Sequence, residues 1–221
     1  MRLNRYIAQS TGLSRRKADE LLSQNRIKIN NIVATIGDIA NENDIITLDD
    51  KILSLPKKQT VLMLNKPIGY TVSRNGQGSK TIYNLLPKKY HDLKPIGRLD
   101  KNSSGLLLLT NNGNLAFELT HPKYQKIKTY QILLNKNLTP LHHQIINNYG
   151  VNLEDGLSKL TLIKTKDNNK EWTVKMSEGR NKQIRRTFSS LGYKIITLHR
   201  TTFGQYNLNN LPIGQFEIIK Q

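Results

Sequence analysis

Cysteine is absent from this 221-residue sequence, which excludes disulfides and thiolate metal sites. The five histidines (His91, His121, His142, His143 and His199) show no metal-ligand spacing. No metal is expected. No apolar run approaches the ~18 residues of a membrane span, and no lipidation signal is visible. The opening stretch, MRLNRYIAQSTG, lacks the apolar centre of a secretory signal. A cytoplasmic, monomeric protein without a membrane partner is expected. Acids are scarce, 16 against 34 Lys and Arg, for a formal net charge of +18. That imbalance favours a polyanionic partner, nucleic acid before a membrane surface. A hydrophobic content of 37% supports a real core.

What is present divides into three parts. Residues 1–50 hold seven basic and seven acidic residues, but all the basic ones fall at or before Lys28. Two helical patterns open the chain. Leu3, Ile7 and Ala8 share one face of the first; Ala18, Leu21 and Leu22 stripe the second, with Ser14 as its N-cap. RIKIN, NIVATIGD and DIITLDD read as short strands and turns. Residues 51–59, KILSLPKKQ, fit neither a helix nor a paired strand and read as a linker. From residue 60 to 221 strands alternate with helices. Expected strands are TVLMLNK, LLLLT, KTYQILL, KLTLIKT, EWTVKMS and KIITLHR. Expected helices are TIYNLLP, NLAFELTH, TPLHHQIINNY and RNKQIRRTFSSLG, the last with Ile184, Phe188 and Leu191 on one stripe and Gly192 as its C-cap. The order predicts an α+β fold around a mixed, largely antiparallel sheet flanked by helices.

Arg15, Arg16 and Lys17 are consecutive near a helix start and splay over about 300° of its surface. Alone they describe a solvated cationic face. In context, R-L-x-K/R-Y/F-I/L-A, then S-R-R-x-A, then a K/R-I/V-x-I/V-N strand and a G-D turn follow in order. The first 50 residues thereby resemble the S4-like alpha-L RNA-binding module. The resemblance implies that Arg15, Arg16, Lys17 and Arg26 face phosphates of folded RNA, adding affinity without reading sequence.

Asp100 lies between Arg98 and Lys101 in GRLDKNSSGLLLLTNNGN, residues 97–114. A surface ion pair gains only about 0–1 kcal/mol, which gives no reason for so elaborate a turn before an apolar strand. An ionised, partly buried carboxylate held by a guanidinium is what a nucleophile or electrostatic stabiliser needs. No second acid lies nearby in sequence to form a glycosidase pair. LNKPIGY reads as a strand ending in a Pro-Gly turn. In KIKTYQILL, Tyr130, Ile132 and Leu134 alternate onto one face, the usual place of a core aromatic. SEGRNKQIRRTF reads as a strand end, a turn and a cationic helix start, the bland form of a phosphate site.

Together these stretches resemble the ribosomal RNA pseudouridine synthases that carry an alpha-L module at the N-terminus. PIGRLDKNSSGLLLLTNNG matches the family's G-R-L-D-x-x-S/T-x-G-L motif, and EGRNKQIRR matches its E-G-R/K-x-x-Q-I/V-R/K-R motif. NKPxG, K-x-Y and the closing LHRTTFGQYNLNNLPIGQFE also stand where the family has them. The resemblance implies conversion of uridine in RNA to its carbon-glycoside isomer without a cofactor, with ribosomal RNA or a ribosomal subunit precursor as partner. It makes Asp100 the catalytic carboxylate, Tyr130 the residue stacked on the flipped uracil, and Arg185 the partner of Asp100. Ile184 would wall the pocket beside Arg98. Lys101, Arg180, Lys182 and Arg186 would hold RNA. The HPKYQKIKTY run and the RLNRYIA…SRRKAD start are similar to large-subunit members. The alternative is a noncatalytic RNA-binding assembly factor that retains the fold.

Overall fold

The computed structural model describes residues 1–56, 59–165 and 168–219. Two helices open the chain, α1 (Leu3–Thr11) and α2 (Arg15–Ser23). Leu3, Ile7 and Ala8 of α1 and Ala18, Leu21 and Leu22 of α2 are buried, as their spacing requires. The Ser14 side chain accepts from the Lys17 N–H at 3.1 Å, closing the N-cap of α2. These helices pack on a small antiparallel sheet of β1 (Ile27–Ile29), β2 (Ile32–Val33), β3 (Ile46–Leu48) and β4 (Lys51–Ile52), in the order β2-β1-β3-β4.

The fourth strand corrects the expected linker. Asp49 and Asp50 both take positive φ, 48° and 63°, so a two-residue turn folds Lys51 back opposite Leu48. Asn30 and Asn31 do the same between β1 and β2. Residues 53–56 lie outside the strands, and Lys57 and Lys58 lie outside the described residues.

The larger part contains a sheet of β5 (Val61–Lys66), β6 (Lys94–Pro95), β7 (Ser104–Thr110), β8 (Lys128–Leu134), β11 (Thr161–Lys164), β12 (Glu171–Met176), β13 (Ile195–Phe203), β14 (Tyr206–Asn207) and β15 (Phe216–Ile219). A separate hairpin is formed by β9 (Val151–Leu153) and β10 (Gly156–Ser158). The main path runs β11-β12-β8-β13-β7-β5-β15, with β6 on β7 and β14 on β13. Among the described strands only β7 and β13 pair in parallel; an isolated parallel bridge joins Thr71 to Thr81 outside them. The sheet is therefore mixed and largely antiparallel.

The unbroken apolar runs of β5 and β7 reflect burial on both faces. Leu62, Leu64, Leu107 and Leu109 point into one core with Ile184 and Phe188 of α5 (Gln183–Ser190). Val61, Met63, Leu106 and Leu108 point into another with Leu119 of α3 (Gly113–Thr120). Helix α5 closes as expected at Gly192, with φ of 78°. The Tyr193 N–H reaches the Phe188 carbonyl at 2.9 Å and the Gly192 N–H reaches Ser189 at 3.0 Å.

Three expected helices are shortened, RNKQIRRTFSSLG among them, which is helical only from Gln183 because Lys182 takes a φ of 44°. TIYNLLP makes only a 3₁₀ turn, Ile82–Leu85, capped by Thr81 and Asn84 and ended before Pro87. TPLHHQIINNY forms α4 (Pro140–Gln144) and then widens into a π turn, Ile145–Tyr149. The two parts of the molecule touch through α1 and the α1–α2 turn. Arg5 donates to the Asn114 side chain, and the Lys94 ammonium donates to the Leu13 carbonyl at 2.6 Å.

Candidate active site

Asp100 sits half-buried on the loop that leads into β7. The loop closes on itself through the Ser103 N–H, which donates to the Asp100 carbonyl at 3.0 Å. Three neighbours then hold it. From β5, Lys66 projects into the protein with no exposed surface, and its ammonium donates to the carbonyls of Pro67 (2.9 Å), Asp100 (3.2 Å) and Ser103 (2.8 Å). Each of its three protons thus has an acceptor. Burial pushes the Lys66 pKa down to about 8, and the charge of Asp100 opposes that shift. From the Pro67–Gly69 turn, the Gly69 N–H donates to Lys101 O at 2.8 Å. From α5, the Arg185 guanidinium donates to Asn102 O at 2.8 Å, to Ser103 Oγ at 3.4 Å and to Ile195 O at 3.1 Å.

Arg185 therefore grips the backbone of the Asp100 loop, and the expected ion pair with the carboxylate is not formed. The physical reason is supply of acceptors: the fork takes the Asn102 carbonyl of the loop and the Ile195 carbonyl at the start of β13, which satisfies it without Asp100. Among the described residues no hydrogen bond or ion pair engages the Asp100 carboxylate. The backbone is fixed and the acid is free.

Gly105 makes the strand entry possible. Its φ is 106°, and an added Cβ would meet the Arg200 backbone at 2.2 Å. This close approach is the start of the parallel β7–β13 pairing, where Gly105 faces Arg200. Arg200 in turn faces Tyr130 on β8, and Tyr130 faces Val174 on β12. Tyr130 is thus two strands from Gly105, about 10 Å at the usual strand spacing. It is buried in the same core as Leu99 and Ile184, the neighbours of Asp100 and Arg185. Its hydroxyl has no hydrogen-bond partner among the described residues.

The E-G-R-x-x-Q spacing has a local cause. The Gln183 side chain accepts from the Arg180 N–H at 3.2 Å and donates to Glu178 and to Ser158 Oγ. Ser158 also meets Thr187 Oγ1 at 2.8 Å, tying α5 to the β9–β10 hairpin. Arg180 and Arg186 both turn onto Asp155, at 2.9 and 2.6 Å, and Arg180 also donates to the carbonyls of Asp155, Gly156 and Leu157. Their guanidiniums are engaged in holding that hairpin, which differs from the expected free RNA contacts. Lys182 is exposed.

In the N-terminal part, Arg26 makes a two-bond ion pair with Asp49, and Lys17 pairs with Glu20. Arg15 donates to Asn4 Oδ1 at 3.2 Å. Arg16 is exposed and carries no hydrogen bond or ion pair among the described residues. Near the acid, Arg98 is exposed and Lys101 donates to Ser79 Oγ at 3.1 Å. Lys66 was not singled out from sequence. The signal was there: a lysine ending an otherwise apolar buried strand must find acceptors.

Residues 60–190 match the family model described as RNA pseudouridylate synthase, and residues 1–46 match the S4 domain. The large-subunit pseudouridine synthase B of Bacillus subtilis is 34% identical over 96% of this chain and 89% of that protein. The small-subunit pseudouridine synthase A of Haemophilus influenzae is 32% identical over 100% of this chain and 97% of that protein. A pseudouridylate synthase of known crystal structure superposes with a TM-score of 0.71 at 28% identity, covering 100% of this chain and 96% of its own.

Proposed function

The chain belongs to the RNA pseudouridylate synthase family, and from that premise we propose that it isomerises a uridine of ribosomal RNA, in the large subunit, with Asp100 as the catalytic carboxylate. The observation that carries this is the Asp100 loop itself. Its backbone is fastened by Lys66, Gly69 and Arg185 while the carboxylate stays unengaged. A fixed backbone and a free acid are the preorganisation that a step at the ribose requires.

In the reaction the bond between uracil N1 and ribose C1′ breaks, the base turns, a C5–C1′ bond forms, and the C5 proton leaves as N1 gains one. The Asp100 anion serves this either by attack at C1′ or by taking the 2′ proton. Tyr130 supplies a ring face for the extruded base, and Ile184 an apolar wall. Arg185 acts on Asp100 through the loop backbone. Residues 1–52 form the RNA-holding unit, with Arg15 and Arg16 the cations best placed for phosphates, and residues 60–221 the catalytic unit. Support for the large subunit comes from the HPKYQKIKTY run and the RLNRYIA…SRRKAD start.

The test is a map of pseudouridines in both ribosomal RNAs from cells with and without the protein. Loss of a large-subunit pseudouridine, restored by the wild-type chain and not by Asp100→Asn, is expected. Loss of a small-subunit one would overturn the target, and no loss in either would overturn the activity.

A further inference from the structure

The four phenylalanines and nine tyrosines of this chain are few, and two of them stand in the open side by side. Phe117 on α3 is 48% exposed and Tyr124, on the 3₁₀ turn Pro122–Tyr124, is 40% exposed. Their rings meet edge to face at 6.0 Å, and the His121 ring lies 4.6 Å from Phe117 and 6.4 Å from Tyr124. Lys123 sits over both, 5.7 Å from the Phe117 ring and 4.7 Å from that of Tyr124; Lys126 lies 5.9 Å from Tyr124 and pairs with Glu118 at 2.7 Å, which leaves Lys123 as the cation open to a phosphate. Beside them opens a cavity of about 430 Å³, floored by Leu115 and Leu119 and edged by Ile127, which is itself 54% exposed.

Exposed aromatics in contact with each other mark interaction sites, because burying either ring in the core would have been favourable. The mixture here, ring faces interleaved with ammonium groups, is the chemistry of single-stranded nucleic-acid binding: bases stack on the rings while the lysines meet phosphates. An acidic protein surface would use the lysines but has no need of the rings.

The position of the cluster points the same way. Helix α3 begins against the N-terminal unit, where Arg5 donates to Asn114. It ends beside the catalytic loop, where Thr120 Cγ2 lies 3.9 Å from the Cβ position of Gly97. Gly97 opens the Gly97–Asp100 motif. Helix α3, which carries Phe117, therefore runs from the N-terminal unit to the loop that carries Asp100.

We propose that Phe117, His121 and Tyr124, with Lys123, form a stacking surface for unpaired nucleotides of the RNA substrate flanking the target uridine. The proposal rests on the reading of the chain as an RNA-modifying enzyme, and adds a place where the strand is held open. A base stacked there cannot re-pair with its complement, so the platform lowers the cost of extruding the neighbouring uridine.

The test uses the full chain with Phe117→Leu and Tyr124→Leu together, which keep apolar volume and remove both ring faces. Binding is measured by fluorescence anisotropy with a short oligouridylate and with an RNA duplex of the same length. Oligouridylate affinity should fall about tenfold or more, the effect of losing stacked bases, with duplex affinity little changed. Tyr124→Trp alone should bind as well as the wild type, which guards against a folding defect in the double variant. Unchanged oligouridylate binding, or an equal loss for both probes, would overturn the surface. Pseudouridine formation by the wild type on ribosomal RNA is scored separately. Normal isomerisation with an unaffected double variant sinks the surface alone; selective loss of oligouridylate binding by the double variant supports the surface even if the wild type fails to isomerise uridine.

Discussion

Lys66 and Asp100 meet through the backbone: the lysine ammonium donates to the aspartate's own carbonyl at 3.2 Å and to that of Ser103 at 2.8 Å. A fully buried cation thus holds the loop, and its charge lies near an acid that nothing else engages. This makes Lys66 a positioning residue whose removal should be felt twice. Lys66→Met keeps the length of the side chain and removes a donor from three carbonyls, of which that of Asp100 keeps the Ser103 N–H. At about 1–3 kcal/mol for each unmade bond, several kcal/mol of stability should go. Loop displacement of even ~1 Å should lower turnover about 100-fold in molecules that still fold. Urea denaturation and single-turnover assays measure the two effects, and normal values for both would remove the clamp.

The same lysine predicts opposite trends with pH. Its folded pKa of about 8 lies below the ordinary 10.5. Between these values the unfolded chain binds more protons at this site, so the contribution of Lys66 to stability rises with pH; below about 8 both states are protonated and it is constant. Activity should move the other way. Above pH 8 the neutral amine has one proton fewer for three carbonyls and no charge beside Asp100. A wild-type rate that falls through about pH 8, with no such step in Lys66→Met, is expected. A common pH profile for the two would assign the step to another group.

Asp100→Asn should abolish isomerisation while RNA binding and melting temperature stay close to wild type. Among the described residues the carboxylate has no hydrogen bond to lose, so the variant removes charge and little else. Asp100→Glu should also fail, since one methylene shifts the oxygens by about 1 Å, worth ~100-fold. Purified Asp100→Asn protein that converts uridine at the wild-type rate would end the assignment.

Arg185→Lys separates clamp from counter-ion. A lysine keeps the charge but cannot reach Asn102 O and Ile195 O together. Rates should drop about tenfold, the equivalent of one hydrogen bond to a charged group at ~1.5 kcal/mol. If charge near Asp100 were the whole role, Lys would restore full activity relative to Arg185→Met.

Tyr130→Phe tests the unpartnered hydroxyl. The ring and its packing remain, so thermal stability should hardly change. Slower turnover at equal RNA affinity is expected if the hydroxyl assists late proton loss from C5. Equal rates would leave the residue as a stacking face alone, and Tyr130→Ala would then show the loss of that face, about 1–3 kcal/mol per base.

Much of this was legible from sequence. Strand β8 runs Lys128–Leu134 as its alternation predicted, and the caps of α2 and α5 follow from Ser14 and Gly192. The motif around Asp100 marked the acid because composition made it conspicuous. What sequence spacing does not carry is choice among partners. Arg185 had several acceptors within reach and took carbonyls; Arg180 and Arg186 found Asp155 from a hairpin some 25 and 31 residues away. Lys66 was hidden by its strand, since an apolar run reads as core whatever ends it. The Asp49–Asp50 turn looked like the approach to a linker because Asp rarely takes positive φ, although it tolerates it better than most residues.

Strand β13 lies between β7 and β8, so the middle of the sheet is filled by a segment synthesised after both of its neighbours. The first 52 residues, by contrast, close their own core from near neighbours in the chain. During synthesis all residues of the N-terminal core are thus made while the Asp100 loop still lacks Ile195, Arg200 and the grip of Arg185. Long-range pairings of this kind form slowly. The N-terminal core draws only on residues made early, whereas the surroundings of Asp100 are completed by β13, and that difference is written into the strand order.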